Sequence, residues 1–235
     1  MRYFIDTEFI EGFHKPLFGK RRHFIDLISI GIVAEDGREY YAISNEFNTK
    51  DADDWVKNNV IGKLPERAVD FYDSPRMRME SLLWKSNKVI ANEVKEFIYS
   101  TSQINDPKSI SNWEQVKNKL PIEFYGYYAD YDWVLFCSLF GRMIDLPKGF
   151  PMYCRDLKQM FDERALKMTS GEATQIEYPS VTHDVFEFLE KTTNGSYKID
   201  VLKKHEEYPK QLNEHNALDD ARWSRDLYNF IVNLK

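Results

Sequence analysis

Two apolar runs joined by a tight turn constrain the fold of this chain more than any other feature. The runs LISIGIVA and EYYAI occupy residues 27–34 and 39–43, and the turn between them contains Asp36 and Gly37. An Asp-Gly pair between apolar runs is a strong signal for a β-hairpin, because such turns need positive φ angles. A third apolar run at residues 3–5 predicts a buried strand. A sheet is therefore expected in the first part of the chain.

The rest of the chain combines one further strand with several helices. An aromatic-rich run at residues 122–127 predicts the strand. Apolar spacing and end signals predict helices at 53–60, 87–99, 132–140, 155–167, 182–191 and 217–232. Strands that come early and helices that come late predict an α/β domain with a mixed sheet. A length of 235 residues suits one domain that spans residues 1–235.

Composition excludes several classes of protein. Apolar residues make up 43% of the chain and aromatic residues 15%, which is too much for a disordered protein. No apolar run approaches the ~18 residues of a membrane span, and the first residues do not resemble a signal peptide. Two isolated cysteines, Cys137 and Cys154, suggest a reducing compartment. We therefore expect a cytoplasmic protein that has no membrane partner.

The net charge of −6 argues against a protein that coats long nucleic acids, because such proteins are usually basic. The charge is compatible with an enzyme that grips one strand end, since a short groove needs few phosphate contacts. One predicted loop, at residues 11–26, is basic and contains Lys20, Arg21 and Arg22. These three side chains either bind phosphates or only solvate the loop, and the sequence leaves both interpretations open.

Two carboxylates follow the first predicted strand in the motif Asp6-Thr7-Glu8. Because side chains alternate along a strand, Asp6 and Glu8 should point the same way. Two carboxylates on one face are costly unless a cation lies between them, and Mg²⁺ prefers such ligands. The alternative is a pair of solvent-facing acids at the end of a strand.

A second acidic motif follows the strand predicted at 122–127 and contains Asp130 and Asp132. Sheets of α/β proteins bind ligands at such strand ends. Asp132 also stands at the start of the next predicted helix, where an acid can serve only to stabilise the helix N-terminus. The motif alone does not separate these roles.

The third motif contains His215 and Asp220 at the start of the final predicted helix. Asn216 is a good N-cap, and Asp219 three residues later resembles the partner in a capping box. If the helix begins there, His215 lies in the preceding loop and can bend toward Asp220. The alternative is a capped surface helix with an incidental histidine.

In their order along the chain, the three motifs resemble the DEDDh group of 3′→5′ exonucleases, in the ribonuclease H-like superfamily. The matching residues are Asp6, Glu8, Asp132, His215 and Asp220. Residues 2–11 and 27–44, with the Tyr131-Asp132 pair, are similar to the polyadenylate-specific 3′→5′ exoribonuclease family of mycobacteria. Asp132 fits the family pattern better than Asp130, because it directly follows an aromatic residue and precedes an apolar helix.

This resemblance implies a ribonuclease H-like fold, in which a five-stranded mixed sheet is flanked by helices on both faces. It implies two Mg²⁺ or Mn²⁺ ions held by the four carboxylates, with Asp6 between the ions and His215 as the general base. The expected reaction releases nucleoside 5′-monophosphates from the 3′ ends of single-stranded RNA. A homodimer is also suggested by the family. Segments near 12–26 and 180–212 look like insertions relative to the family.

Three aromatic residues near the motifs, Phe9, Tyr128 and Tyr131, are candidates for stacking on substrate bases. Core packing is the alternative for Phe9, because strand alternation sends it to the face opposite Asp6 and Glu8. Other functions also stay open. The same site could act on DNA or on short oligonucleotides, or the chain could be an inactive nucleic-acid-binding module. An unrelated acidic interaction protein would not explain three ordered motifs.

Overall fold

The computed structural model describes residues 1–14, 19–67, 74–100, 121–169 and 200–234. Within these ranges a mixed sheet of six strands has the order β4-β3-β2-β1-β5-β6. The strands are β1 (Arg2–His14), β2 (Arg22–Ala34), β3 (Glu39–Ser44), β4 (Trp84–Lys85), β5 (Glu123–Gly126) and β6 (Arg155–Asp156). Strands β1, β2 and β3 pair antiparallel, whereas the β3-β4, β1-β5 and β5-β6 pairs are parallel.

Five helices of the described ranges match predicted ones, and two more, at Pro75–Ser81 and Asp200–Lys203, were not predicted. They are α1 (Asp54–Asn59), α2 (Pro75–Ser81), α3 (Asn87–Tyr99), α4 (Asp130–Ser138), α5 (Leu157–Thr169), α6 (Asp200–Lys203) and α7 (Ala217–Asn233). Two 3₁₀ turns lie at Ile61–Lys63 and Met143–Asp145. The helix predicted at 182–191 lies outside the described residues. Among the residues that the structure describes, no helix is both long and apolar enough to cross a bilayer.

Apolar side chains cover both faces of the sheet. On one face, Tyr3 and Ile5 of β1 pack with residues of α3 and α4. On the other face, Phe4 packs with residues of α5 and α7. These contacts confirm the α/β class, the mixed sheet and the helices on both faces, as in a ribonuclease H-like fold. The sheet has six strands, whereas the resemblance implies five. The apolar runs predicted β1, β2, β3 and β5, but not β4 and β6, which are two-residue edge strands without an apolar run.

Residues 11–26 are not a loop over their whole length, and that part of the prediction is wrong. Strands β1 and β2 continue into this segment as a long hairpin, in which Phe13 pairs with His23 and His14 with Arg22. Ile28 is the additional residue of a β-bulge, because Glu8 pairs with Ser29 while Phe9 pairs with Leu27. The pairing of β1 with β2 continues beyond this bulge, although the sequence there no longer alternates between apolar and polar residues. Residues 15–18 lie outside the described ranges.

Candidate metal centre

Strand β1 presents the first two carboxylates on one face of the sheet. Asp6 pairs with Gly31 of β2, and Glu8 pairs with Ser29. Thr7 lies between the two acids, and its side chain points to the opposite face of the sheet. Both acids are half-buried. They lie on the face that carries α7, because Phe4 of the same strand packs against that helix.

The N-terminus of α7 brings the third carboxylate to this face. The Oδ1 atom of Asn216 accepts hydrogen bonds from the backbone N–H groups of Leu218 and Asp219, at 3.1 and 3.2 Å, and caps the helix. Asp220 therefore lies in the first turn, where it is buried. One carboxylate oxygen from each of Asp6, Glu8 and Asp220 lies within 4.8 Å of the other two. These three residues form what we call the carboxylate cluster.

The fourth carboxylate, Asp132, is held beside the cluster from α4. Its Oδ1 atom accepts hydrogen bonds from the backbone N–H and the hydroxyl of Thr7, at 2.8 and 2.6 Å. Thr7 stands between Asp6 and Glu8 in the chain, so its bonds to Asp132 tie α4 to the acidic part of β1. Asp130, the rival residue, is exposed at the start of α4. The geometry thus favours Asp132 as the acid that acts with the cluster.

Burial raises the pKa of every acid in this group, and repulsion by the other acids adds to the rise at Asp6 and Glu8. The pKa of Asp6 lies well above its ordinary range, because the group is buried and because the charges of Asp132, Glu8 and Asp220 oppose its ionisation. Burial, followed by the charges of Asp220 and Asp132, raises the pKa of Glu8 to about 8, and Lys63 offsets part of this rise.

The other two acids respond in the same way. Burial raises the pKa of Asp132 to about 6, although its hydrogen bonds to Thr7 act in the opposite direction. Burial also raises the pKa of Asp220. Neighbouring acids with raised pKa values are the donor set expected for hard divalent cations, because such ions favour the ionised form of each ligand.

His215 lies in the loop just before α7, where the sequence places it. Its backbone has a positive φ of 67°. Its N–H group donates a hydrogen bond to Oδ2 of Asp220 at 2.9 Å, so the loop and the acid hold each other in place. The imidazole contacts the edge of Trp55 in α1, with 4.8 Å between ring centroids. The histidine ring is thereby positioned by a residue far away in the sequence.

Comparison with known proteins agrees with this geometry. A family model described as the 3′-5′ exoribonuclease Rv2179c-like domain matches residues 1–232. The chain belongs to this family. The 3′-5′ exoribonucleases Rv2179c and MT2234.1 of Mycobacterium tuberculosis, from strains H37Rv and CDC 1551 respectively, are each 39% identical to it over 164 residues. The alignment covers 70% of this chain and 76% of each relative. The mycobacterial 3′→5′ exoribonuclease family, expected from residues 2–11 and 27–44, is confirmed.

The sequence did not predict four contacts that surround the site in this family member. Thr7 holds Asp132, and Trp55 holds the ring of His215. Lys63 donates a hydrogen bond to the carbonyl oxygen of Glu214 at 3.1 Å and lies close enough to act on Glu8. Gln211 donates to Oδ1 of Asp220 at 2.6 Å. Of these residues, only Thr7 could have been identified from the sequence, because it lies inside the motif Asp6-Thr7-Glu8.

The candidate substrate residues of this family member fall into two groups. Phe9 is half-buried, packs against the core and makes a T-shaped contact with Tyr131, with 5.5 Å between ring centroids. Tyr131 and Tyr128 are exposed, and Tyr128 has a positive φ of 56°. The basic residues lie apart from the cluster, on the outer part of the β1-β2 hairpin, and all three are exposed: Lys20, Arg21 and Arg22.

Proposed function

We propose that this protein is a metal-dependent 3′→5′ exoribonuclease that releases nucleoside 5′-monophosphates from the 3′ ends of single-stranded RNA. The observation that carries the proposal is the carboxylate cluster, in which oxygens of Asp6, Glu8 and Asp220 lie within 4.8 Å of one another. The names of the two relatives, both 3′-5′ exoribonucleases, support the polarity and the substrate. The roles of the individual residues are those implied by the resemblance to the DEDDh exonucleases.

In this proposal the four carboxylates hold two Mg²⁺ or Mn²⁺ ions. Asp6 lies near the other three acids, since the charges of all three raise its pKa, and it would serve both ions. Glu8 and Asp220 would complete the ligands of one ion, and Asp132 would contribute to the other. When bound, such a pair of ions stabilises the attacking and leaving oxygens of an in-line displacement at phosphorus.

The remaining chemistry falls to His215. A neutral imidazole nitrogen can accept the proton of the attacking water, as in general-base catalysis. Its backbone N–H is fixed by Asp220 and its ring by Trp55, which keeps the base beside the acids. Because it acts as a base and not as a ligand, its removal should slow the reaction without releasing the ions.

The test compares two variants with the wild type. His215→Ala should retain Mn²⁺ binding measured by calorimetry, while single-turnover hydrolysis of RNA falls by ~10²–10⁴-fold, the usual cost of losing a general base. Asp6→Asn should lose both metal binding and turnover. Activity that persists after exhaustive chelation would refute the metal-dependent mechanism.

The substrate is tested with oligonucleotides labelled at the 3′ or the 5′ end. Single-stranded RNA, single-stranded DNA and very short oligoribonucleotides share the same scissile bond, so they should be compared side by side. We expect mononucleotide release from the 3′ end of RNA in the presence of Mg²⁺. Faster hydrolysis of DNA, or of very short oligomers only, would reassign the substrate, and cleavage of a circular RNA would contradict the exonucleolytic polarity.

A further inference from the structure

A row of aromatic rings runs outward from the start of α4, where Tyr131 precedes Asp132, along the β1-β2 hairpin. The rings of Tyr131 and His23 are nearly parallel, with an interplanar angle of 28° and 6.3 Å between centroids. His23 in turn contacts Phe13, its partner in the strand register, at 5.3 Å. We call Tyr131, His23 and Phe13 the aromatic row. It consists of residues from three separate places in the chain.

The aromatic row is open to solvent. Phe13 is 49% exposed, Tyr131 is 45% exposed and the side chain of His23 is 42% exposed. Single exposed apolar residues are common on protein surfaces, but a contiguous set is typical of a binding surface. The row is held from beneath, because Phe9 packs edge-on against Tyr131 and is itself part of the core.

Positive charge accompanies the row. The guanidinium of Arg21 lies over the ring of Phe13, 3.8 Å from its centroid. Lys20 and Arg22 flank Arg21 and are exposed, so three consecutive cations occur in a chain whose net charge is −6. Glu11 supplies an acidic contact here, with its carboxylate 3.7 Å from Nε2 of His23. Cations beside exposed rings match a ligand that has both phosphates and flat bases.

The row begins next to the candidate metal centre. Tyr131 directly precedes Asp132, and Phe9, which contacts Tyr131, lies on the same side of β1 as Thr7, the residue that bonds Asp132. From Glu8 to Phe13 the strand β1 covers about 16 Å, at ~3.3 Å per residue. A polymer whose terminal phosphodiester lies at the carboxylates could therefore follow the row, whereas a dinucleotide could not reach Phe13.

We infer that the aromatic row and the cations at 20–22 form a track for single-stranded nucleic acid, which binds nucleotides on the 5′ side of the scissile bond. The direction of the strand rests on the proposed function, since that places the 3′ end at the carboxylates. Bases stack on the three rings and phosphates meet the cations. Because stacking tolerates any base, the affinity of the track should depend on the length of the nucleic acid and not on its sequence.

The test uses full-length protein and matched substitutions at the same positions. In Phe13→Leu/His23→Leu the side chains stay apolar but lose their rings, whereas Phe13→Tyr/His23→Phe keeps both rings. Binding of a 5′-fluorescein single-stranded RNA dodecamer is measured by anisotropy in EDTA, where hydrolysis is prevented. We expect the double-leucine variant to bind about tenfold more weakly, as the loss of base stacking predicts, and the aromatic variant to bind like the wild type.

Hydrolysis gives a second readout. For the dodecamer the double-leucine variant should show a higher KM, while turnover of a dinucleotide should stay unchanged, which also shows that the carboxylate cluster is intact. Equal dodecamer affinity in the double-leucine variant and the wild type would overturn the track, as would failure of the wild type to bind in EDTA. If the double-leucine variant shifts from dimer to monomer in sedimentation yet binds RNA normally, the row is a contact between copies and the inference is wrong. Wild-type protein that binds but never hydrolyses RNA would refute the proposed function and leave the track standing.

Discussion

A Cβ atom placed on Gly31 would lie 2.2 Å from the carbonyl oxygen of Ala217, the first residue of α7. Gly31 is also the strand partner of Asp6. The absence of a side chain at this one position of β2 lets the N-terminus of α7 rest directly on the sheet. Asp220, in the first turn of that helix, thereby reaches the two acids of β1.

Gly31→Ala should disrupt the carboxylate cluster. The added methyl group meets backbone atoms of Ala217 and Leu218, which cannot rotate away, so α7 must shift. Overpacking of this kind typically costs ~1–3 kcal/mol of unfolding free energy. We expect a lower midpoint in urea and weaker Mn²⁺ binding by calorimetry. Gly37→Ala is the control, because no atom lies within 4 Å of its added carbon. Its positive φ of 88° makes that substitution strained, so it should lower stability without affecting metal binding.

Glu8→Gln should change how the stability of the metal-free protein depends on pH. Glu8 has a pKa of about 8 in the folded protein and an ordinary value of 4.5. Below pH 4.5 the carboxyl is protonated in both states and imposes no cost. As the pH rises toward about 8, the unfolded chain releases this proton more readily than the folded protein, so the free energy of unfolding falls.

Glutamine cannot titrate, so the variant should lose less stability over this pH window. In EDTA at pH 8 it should melt at a higher temperature than the wild type, as measured by circular dichroism, and Mg²⁺ should stabilise it less. Glu206→Gln replaces an exposed glutamate and should melt like the wild type. An unchanged melting temperature for Glu8→Gln in EDTA would mean that the buried carboxylate carries no such cost.

Asp132→Asn should abolish turnover, whereas Asp130→Asn should leave most of it. Asp132 is buried and accepts two hydrogen bonds from Thr7, while Asp130 is exposed. Asparagine keeps the size of the side chain and removes its charge, so the fold should survive in both variants. Steady-state hydrolysis of labelled RNA, with far-ultraviolet circular dichroism as a check on folding, distinguishes the two. The reverse pattern would assign the fourth carboxylate to Asp130.

Trp55→Ala should slow the chemical step by loosening His215. The indole contacts the imidazole edge-on at 4.8 Å, yet it is 53% exposed, so its removal should affect stability little. A catalytic group displaced by about 1 Å can cost ~10²-fold in rate, so kcat should fall more than KM rises. Trp55→Phe should restore kcat. A change in KM alone would assign Trp55 to substrate binding.

The secondary structure of these segments could be predicted from the sequence, because it depends on residues that are neighbours in the chain. The Asp-Gly turn and the two apolar runs beside it predicted a hairpin that the structure contains as β2 and β3. Asn216 predicted the start of α7, and it caps that helix. The spacing of Asp6 and Glu8 predicted that both would lie on one face. Each inference rests on strand or helix periodicity, which a short segment determines by itself.

The sequence by itself determined which acids and which histidine are present, in what order, and on which kind of element each one stands. Only the tertiary structure decided that the acids converge, because the first turn of helix α7 reaches strand β1 by packing over Gly31 of the neighbouring strand. It also decided that Trp55 braces His215 and that Tyr131 continues the row of His23 and Phe13. These contacts join segments far apart in the chain, so no local period records them, and the packing of both sheet faces brings them together.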